Sequence, residues 1–261
     1  MRIPLLTLVL CCGVVAAAPR FDLLVQGAVD TELQPILAAL QNKKQVQIRA
    51  WTFWTGRIGR KSVVVSRTEV GPINAVASTI IAIERFRPGA IVNQGTAGAH
   101  NPSLRLWDIV VSEKATDYGA FKSVHGDQGQ GVQLERWTPI PHRLRINGLD
   151  LIEFRSFPAD SKLADAALRV PYRRGRVLKG NIGSAYQFNR ELDYIAWMHK
   201  TFGTDTEDME SAFVAGAAAA MGVPFVAIRI VSDSEWNHPT FEKIAGEYCA
   251  AFVADFVRSL R

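Results

Sequence analysis

Hydrophobic and polar positions follow two alternating periods along the chain, and this pattern predicts strands separated by helices. Short apolar runs closed by glycine or by a polar residue predict strands, for example at 21–27 and 224–233. Apolar residues spaced three and four apart predict helices, for example from 72 to just before Pro88 and at 241–260. Because the two kinds alternate throughout, we expect an α/β fold, a three-layer α/β/α sandwich with a central mixed, largely parallel twisted sheet.

The same patterns predict the remaining elements. Further strands are expected within 46–58 and at 62–66, 90–94, 108–115 and 177–184, and further helices at 31–40, 163–168, 191–202 and 210–222. After the strand at 90–94, Gly95 to Gly98 predicts a short loop whose two glycines permit a tight turn close to a ligand. The polar stretch from Thr116 to His142 predicts a long loop, which is typical of a functional or mobile segment.

The amino terminus differs from the rest of the chain. Met1 and Arg2 precede an apolar run, and small residues end it at Ala16–Ala18, a pattern typical of a secretory signal peptide. We expect residues 1–18 to be removed, with cleavage after Ala17 or Ala18, and residues 19–261 to form a single domain in the periplasm or outside the cell. A lipoprotein signal ending at Cys11 is an alternative that its preceding leucine disfavours. No stable membrane anchor is expected.

Composition agrees with one ordinary globular domain. The 261 residues are 48% hydrophobic and 21% charged, which excludes disordered and fibrous classes. Without the leader, Cys249 is the single cysteine, so no internal disulfide is possible. The basic residues are scattered apart from a run at 169–176. This run predicts a solvated loop more readily than a nucleic-acid surface. A contact with anionic lipid or a phosphorylated solute is a further alternative.

Two carboxylates stand out in the stretch from 207 to 233. Glu210 begins a predicted helix, and Asp233 ends the apolar strand that follows it. In α/β sheets the carboxyl edge of the strands is where ligands bind, so both residues are candidates for acid or base chemistry. Alternatively, Asp233 caps the next turn and Glu210 complements a helix dipole.

Met209-Glu210, followed by a strand that ends Arg-Ile-Val-Ser-Asp233, resembles the nucleoside phosphorylase and nucleosidase superfamily, and within it 5'-methylthioadenosine/S-adenosylhomocysteine nucleosidase. Blocks at 27–32, 93–98 and 183–186 are similar to further motifs of that family and occur in the family's order. The resemblance implies hydrolysis of the N-glycosidic bond of adenosine-type nucleosides such as 5'-methylthioadenosine or S-adenosylhomocysteine, with release of adenine. It implies no metal and no organic cofactor.

The resemblance also assigns roles to residues. Glu32 would activate the water, with helix capping as the alternative, and the Thr96 hydroxyl would lie near the water and the ribose. Glu210 would accept hydrogen bonds from the ribose hydroxyls. Asp233 would protonate the purine at N7, and Ser232 would hold that carboxyl.

Four further residues would surround the substrate. Tyr186 would stack on the purine, and the backbone near Phe188 would hydrogen-bond the base. Met209 would pack under the sugar, and Phe241 would close the pocket for the 5' substituent. His238 in the same segment is a candidate for catalysis or, more simply, a surface residue.

Cleavage of the N-glycosidic bond develops positive charge on the sugar and negative charge on the departing base. The site therefore needs an acid beside the base and an activated water beside the sugar. Asp233 must stay protonated near neutral pH although a free aspartate has a pKa of about 3.9. The apolar run at 225–231 predicts the dry surroundings that could raise it.

Two other functions remain open. One is a phosphorylase, which would use phosphate in place of water. Related phosphorylases carry arginines where this chain has Thr31 and Asn93, so the loss of both charges favours hydrolysis. The other is a non-catalytic secreted nucleoside-binding protein. The resemblance further implies a homodimer in which the segment 116–133 reaches the partner's site.

Overall fold

The computed structural model describes residues 20–146 and 151–260, and the predicted leader lies outside these ranges. The strands are β1 (Phe21–Gly27), β2 (Gln41–Ile48), β3 (Trp51–Ile58), β4 (Lys61–Arg67), β5 (Pro88–Ala99), β6 (Ile109–Asp117), β7 (Phe121–Lys122), β8 (Thr138–Pro139), β9 (His142–Arg145), β10 (Leu151–Phe154), β11 (Phe157–Pro158), β12 (Val177–Ser184), β13 (Thr206–Asp208) and β14 (Phe225–Asp233). The helices are α1 (Gln34–Ala39), α2 (Pro72–Phe86), α3 (Ser161–Leu168), α4 (Leu192–Phe202), α5 (Ser211–Ala220) and α6 (Ala245–Ser259), and 3-10 turns occur at Asp30–Glu32 and Leu134–Arg136. Within these ranges, no helix combines the length and the apolar character needed to cross a membrane.

Ten of the strands form one mixed sheet, as predicted, but part of it closes on itself. β14 pairs with β5 on one side and β6 on the other, and β6 continues through β12 and β13 back to β5. The ring closes because β5 has twelve residues, enough to pair with β1 over its first half and with β13 at its end. β4, β3 and β2 extend the sheet beyond β1 as an open meander. The sequence predicted an open sheet between two layers of helices, and this barrel-like closure was not part of that prediction.

The glycine block at 95–98 is strand rather than loop, which corrects the sequence prediction. β5 runs through it to Ala99, because β14 pairs with it from Ile91 to Gly98. Gly98 is paired with Asp233 on β14 and with Glu207 on β13. The glycines therefore leave room beside β5 for the side chains of Glu32 and Arg229 at Gly95 and of Glu207 and Asp233 at Gly98, instead of turning the chain.

Helices cover both faces of the open sheet. Adjacent residues of a strand point to opposite faces, so Leu23 and Val25 of β1 pack in a cluster with α1, α3 and α6. Leu24 packs on the other face in a cluster with α2 and α5. These two clusters hold the strand ends, and thus the residues that follow them, in fixed positions.

Several predicted boundaries move. The final helix begins at Ala245 instead of 241, and the helix predicted from 31 divides into a 3-10 turn and α1. The α3 helix begins at Ser161 because Asp160 Oδ1 accepts a hydrogen bond from Leu163 N at 2.9 Å. The long loop after β6 contains the short strands β7, β8 and β9, and Tyr118 at its start is fully buried.

Candidate active site

A cavity of about 250 Å³ opens at the carboxyl ends of β1, β13 and β14. Its wall includes eight of the nine residues predicted for the site: Glu32, Thr96, Phe188, Met209, Glu210, Ser232, Asp233 and Phe241. A larger surface cavity of about 650 Å³ between α3 and α6 contains none of them. Residues from five separate parts of the chain thus meet at the first cavity, which makes it the candidate active site.

Glu32 is buried and held on both sides. Its Oε2 accepts a hydrogen bond from Ala28 N at 2.8 Å, while its Oε1 accepts from Thr96 N at 2.9 Å and from the Thr96 hydroxyl at 3.1 Å. The helix-capping alternative therefore applies only to Oε2, which closes the turn after β1. Val29 N adds a longer contact to Oε2 at 3.4 Å, so four donors from two elements fix the position of the Glu32 carboxyl in the cavity wall.

Glu210 is hydrogen-bonded to the start of α2. Its Oε1 accepts a hydrogen bond from Gly71 N at 2.8 Å, and its Oε2 is 3.7 Å from a guanidinium nitrogen of Arg229. Burial raises the pKa of Glu210 to about 7, and the nearby charge of Arg229 opposes that shift. The carboxyl is consequently balanced between its two protonation states near neutral pH.

Capping of α5 is performed by Asp208, not by Glu210. Asp208 Oδ1 accepts hydrogen bonds at 3.0 Å from the backbone nitrogens of Glu210 and Ser211. Glu210 instead accepts a hydrogen bond at the amino end of α2, and its side chain lines the cavity.

Arg229 is a buried cation beneath the cavity. Its Nε lies 2.6 Å from Asp208 Oδ2 and donates to the Ser211 hydroxyl at 3.0 Å, and its Nη2 donates to Asn93 Oδ1. Burial opposes the charged form, but the carboxylates of Asp208, Glu210 and Glu32 outweigh it and raise the pKa of Arg229. The guanidinium therefore stays charged and compensates the acids around it.

Asp233 is buried at the opposite end of the cavity. The Ser232 hydroxyl donates to its Oδ1 at 2.6 Å. Burial raises the pKa of Asp233, the charges of Glu207 and Glu235 add to this, and the Ser232 hydrogen bond acts against it. Among the described residues, no hydrogen bond to Asp233 comes from the turn that follows, so the geometry favours an acid over a cap.

A second carboxylate, Glu207, lines the cavity beside Asp233. Its Oε2 is 3.0 Å from His100 Nε2 and accepts from the Tyr118 hydroxyl at 3.0 Å and from Asn189 Nδ2. Its Oε1 accepts from Asn189 N at 3.2 Å. This network connects the wall of the cavity to the loop after β6.

The aromatic residues are arranged differently from the prediction. Phe188 and Phe241 line the cavity and are 62% and 50% exposed, so they form its rim. Tyr186 is 74% exposed and lies outside the wall. Its ring rests against Gly71, whose missing side chain leaves room for it. The structure therefore does not bring Tyr186 to the cavity, where it was expected to stack on a base.

His238 also lies outside the wall. Its Nε2 is 3.1 Å from Glu242 Oε1 on the following turn, and its side chain is partly exposed. This placement agrees with the surface alternative. No group of three or more His, Cys, Asp and Glu side chains within the described ranges is arranged to hold a metal ion.

Sequence reasoning missed the roles of Glu207, Asp208 and Arg229. Arg229 could have been found, since an arginine inside an otherwise apolar strand must be paired with buried acids. Asp208 and Glu207 precede Met209 directly, but β13 has only three residues and no apolar pattern marks it as a strand. Their contact with β5 is therefore not visible in the sequence.

Comparisons with known proteins agree with this geometry. A family model described as the phosphorylase superfamily matches residues 22–258. The 5'-methylthioadenosine/S-adenosylhomocysteine nucleosidase of Psychromonas ingrahamii is 27% identical over 241 residues, covering 90% of this chain and 97% of its own. The enzyme of that name from Bacillus pumilus is 29% identical, over 80% of this chain and 84% of its own.

Solved structures show the same fold. The crystal structure of 5'-methylthioadenosine/S-adenosylhomocysteine nucleosidase from Neisseria meningitidis in complex with methylthio-immucillin-A matches with a TM-score of 0.74 at 24% identity. The match covers 92% of this chain and 99% of that one. S-adenosylhomocysteine nucleosidase from Streptococcus pyogenes, in complex with 5-methylthiotubericidin, also has a TM-score of 0.74, at 22% identity over 94% of this chain and all of its own.

Proposed function

The chain belongs to the phosphorylase superfamily, and from this premise we propose that it is an N-glycosyl hydrolase of adenosine-type nucleosides such as 5'-methylthioadenosine or S-adenosylhomocysteine. The products are adenine and the free sugar. The observation that carries the proposal is the meeting of Glu32, Glu210 and Asp233 around one cavity. The names of the relatives support the choice of substrate class.

The three acids divide the work. Asp233, whose burial favours the protonated form, donates its proton to N7 of the departing base. Glu32, held by Thr96 and Ala28, orients the water that attacks the sugar carbon. Glu210 accepts hydrogen bonds from the ribose hydroxyls, and Met209 in the wall packs against the ring. Placing two carboxyl groups in different surroundings is how one site performs both tasks.

Charge favours water over phosphate as the nucleophile. Arg229 is the cation beneath the cavity, and its guanidinium is already engaged by Asp208, Glu210 and Asn93. A phosphate dianion would enter beside the carboxyl groups of Glu32 and Glu210. The two positions that hold arginine in related phosphorylases are Thr31 and Asn93 here, so neither supplies a guanidinium to bind it.

The test is to incubate the purified protein with 5'-methylthioadenosine, adenosine and inosine, with and without phosphate, and to separate the products. We expect adenine release that is independent of phosphate. Release that requires phosphate and yields a sugar 1-phosphate would identify a phosphorylase. Tight purine binding without any product would identify a non-catalytic nucleoside-binding protein.

We also propose a homodimer. An apolar depression of about 320 Å³ is lined by Val76 and Ile80 of α2 and by Phe213 of α5. Ile73, one turn earlier on α2, is 84% exposed. A second copy of the chain would cover this face, and Val70 at its edge lines the candidate active site, so the partner would lie close to the substrate.

Export completes the proposal. The leader-like residues 1–18 precede the region matched by the family model, which begins at residue 22. We propose that they are cleaved and that the enzyme acts in the periplasm or outside the cell. Amino-terminal sequencing of the protein recovered from its native host should begin at Ala18 or Pro19, and an intact Met1 in the recovered protein would contradict export.

A further inference from the structure

Glu207 lines the cavity beside Asp233, yet the reaction described above makes no use of it. Gly98 of β5 is paired with Glu207 from one edge and with Asp233 from the other. A Cβ added at Gly98 would lie 3.4 Å from both Glu207 Oε1 and Asp233 Oδ2. The two carboxyl groups therefore stand side by side where the leaving base must bind.

The two oxygens of Glu207 have different surroundings. Oε2 is engaged by His100, Tyr118 and the Asn189 side chain, whereas Oε1 accepts only the Asn189 backbone N–H among the described residues. The side chain is 10% exposed. A carboxylate oxygen with one partner, in a nine-tenths buried side chain that lines the cavity, retains acceptor capacity toward a ligand.

Resting on the nucleosidase function, we propose that Glu207 selects the base: its Oε1 accepts a hydrogen bond from the 6-amino group of a purine whose N7 faces Asp233. The substituent at C6 is the neighbour of N7 on the purine ring, as Glu207 is the neighbour of Asp233 on the wall. Oε1 already accepts from the Asn189 backbone N–H, so it presents a lone pair and no hydrogen in this corner of the cavity. It therefore favours a 6-amino group and repels a 6-oxo oxygen.

Because donors hold Oε2 in place, the effect of replacing the Glu207 carboxyl group with an amide can be predicted. In Glu207→Gln, the amide oxygen should occupy the Oε2 position, because Tyr118 and the Asn189 side chain donate there. The NH₂ group then replaces Oε1, loses the hydrogen bond from Asn189 N, and faces the base as a donor. This single change should move the preference from 6-amino toward 6-oxopurines.

The experiment measures binding of adenine, unsubstituted purine, hypoxanthine and N6,N6-dimethyladenine by calorimetry. Wild-type protein should bind adenine about tenfold or more tightly than the other three, the factor expected for a hydrogen bond to a charged acceptor. Glu207→Gln should lose this advantage and bind hypoxanthine more tightly than wild-type protein does. Glu235→Gln is the matched control, since it removes another negative charge that acts on Asp233 and should preserve the order.

The outcomes separate this proposal from the general function. An unchanged adenine to hypoxanthine ratio in Glu207→Gln, or a wild-type preference for hypoxanthine, would overturn the role of Glu207 even if 5'-methylthioadenosine is hydrolysed. Adenine selectivity without turnover of any nucleoside would support Glu207 and contradict the hydrolase. If Glu207→Gln does not fold, the wild-type ligand series still tests the proposal, because undiminished binding of N6,N6-dimethyladenine would overturn it.

Discussion

At the residue scale, burial assigns different tasks to acids of similar chemistry. Burial raises the pKa of Asp233, which accepts one hydrogen bond, from the Ser232 hydroxyl, among the described residues. Glu32 accepts from four donors, which fix the position of its carboxyl. The local structure around each acid therefore decides which one gives a proton and which one holds water.

Asp233→Asn should lower kcat on 5'-methylthioadenosine by a factor of about 10²–10⁴, the usual contribution of a general acid. The amide is nearly isosteric but has no transferable acidic proton. Steady-state kinetics with a melting curve as control would measure this, and a variant with wild-type kcat would remove Asp233 from the chemistry.

The pH dependence carries a defined sign. Since Asp233 must be protonated, kcat should fall as pH rises through its pKa, which is raised above that of a free aspartate. Ser232→Ala removes the hydrogen bond that stabilises the ionised form, so it should raise that pKa further. The alkaline limb of the pH profile should then move to higher pH. Movement to lower pH would contradict the assigned role of Ser232.

At the element scale, strand pairing explains why the site is assembled where it is. β5 contacts β1, β13 and β14, and each of those strands ends in or next to a residue of the cavity wall. The wall is therefore as rigid as the sheet. Gly95 lies at the centre of this arrangement, between Glu32 and Arg229.

Gly95→Ala should destabilise the protein by about 1–3 kcal/mol, the usual cost of overpacking. The added Cβ would lie 2.5 Å from Glu32 Oε1, so Glu32 must move, and activity should fall as well. Gly126→Ala is the matched control, because its Cβ would meet only Gln130 Oε1 at 3.4 Å. Denaturant titration of both variants measures the difference, and equal midpoints would show that Gly95 is not crowded in solution.

At the scale of the whole molecule, the exposed apolar face of α2 is the feature that a single chain leaves unexplained. Ile73→Lys places a charge on this face, which should prevent the proposed dimer from forming at micromolar concentration. Leu192→Lys at the start of α4 is the control, since Leu192 is 41% exposed and lies outside both this face and the segment 116–133. Sedimentation velocity distinguishes the two states. A wild-type monomer at this concentration would contradict the dimer.

The sequence by itself determined the α/β class, most element positions and the acids at 210 and 233, because strand ends and helix starts are marked by local patterns of apolar residues, glycines and charges. Glu32 was identified by the family resemblance of the block at 27–32. Only the tertiary structure decided that the sheet closes, that Glu207 stands beside Asp233 and that Tyr186 lies outside the cavity. Those facts depend on which strands pair across more than a hundred residues, as β5 does with β13 and β14. Pairing between distant strands is determined by packing of the whole core, which local patterns do not encode.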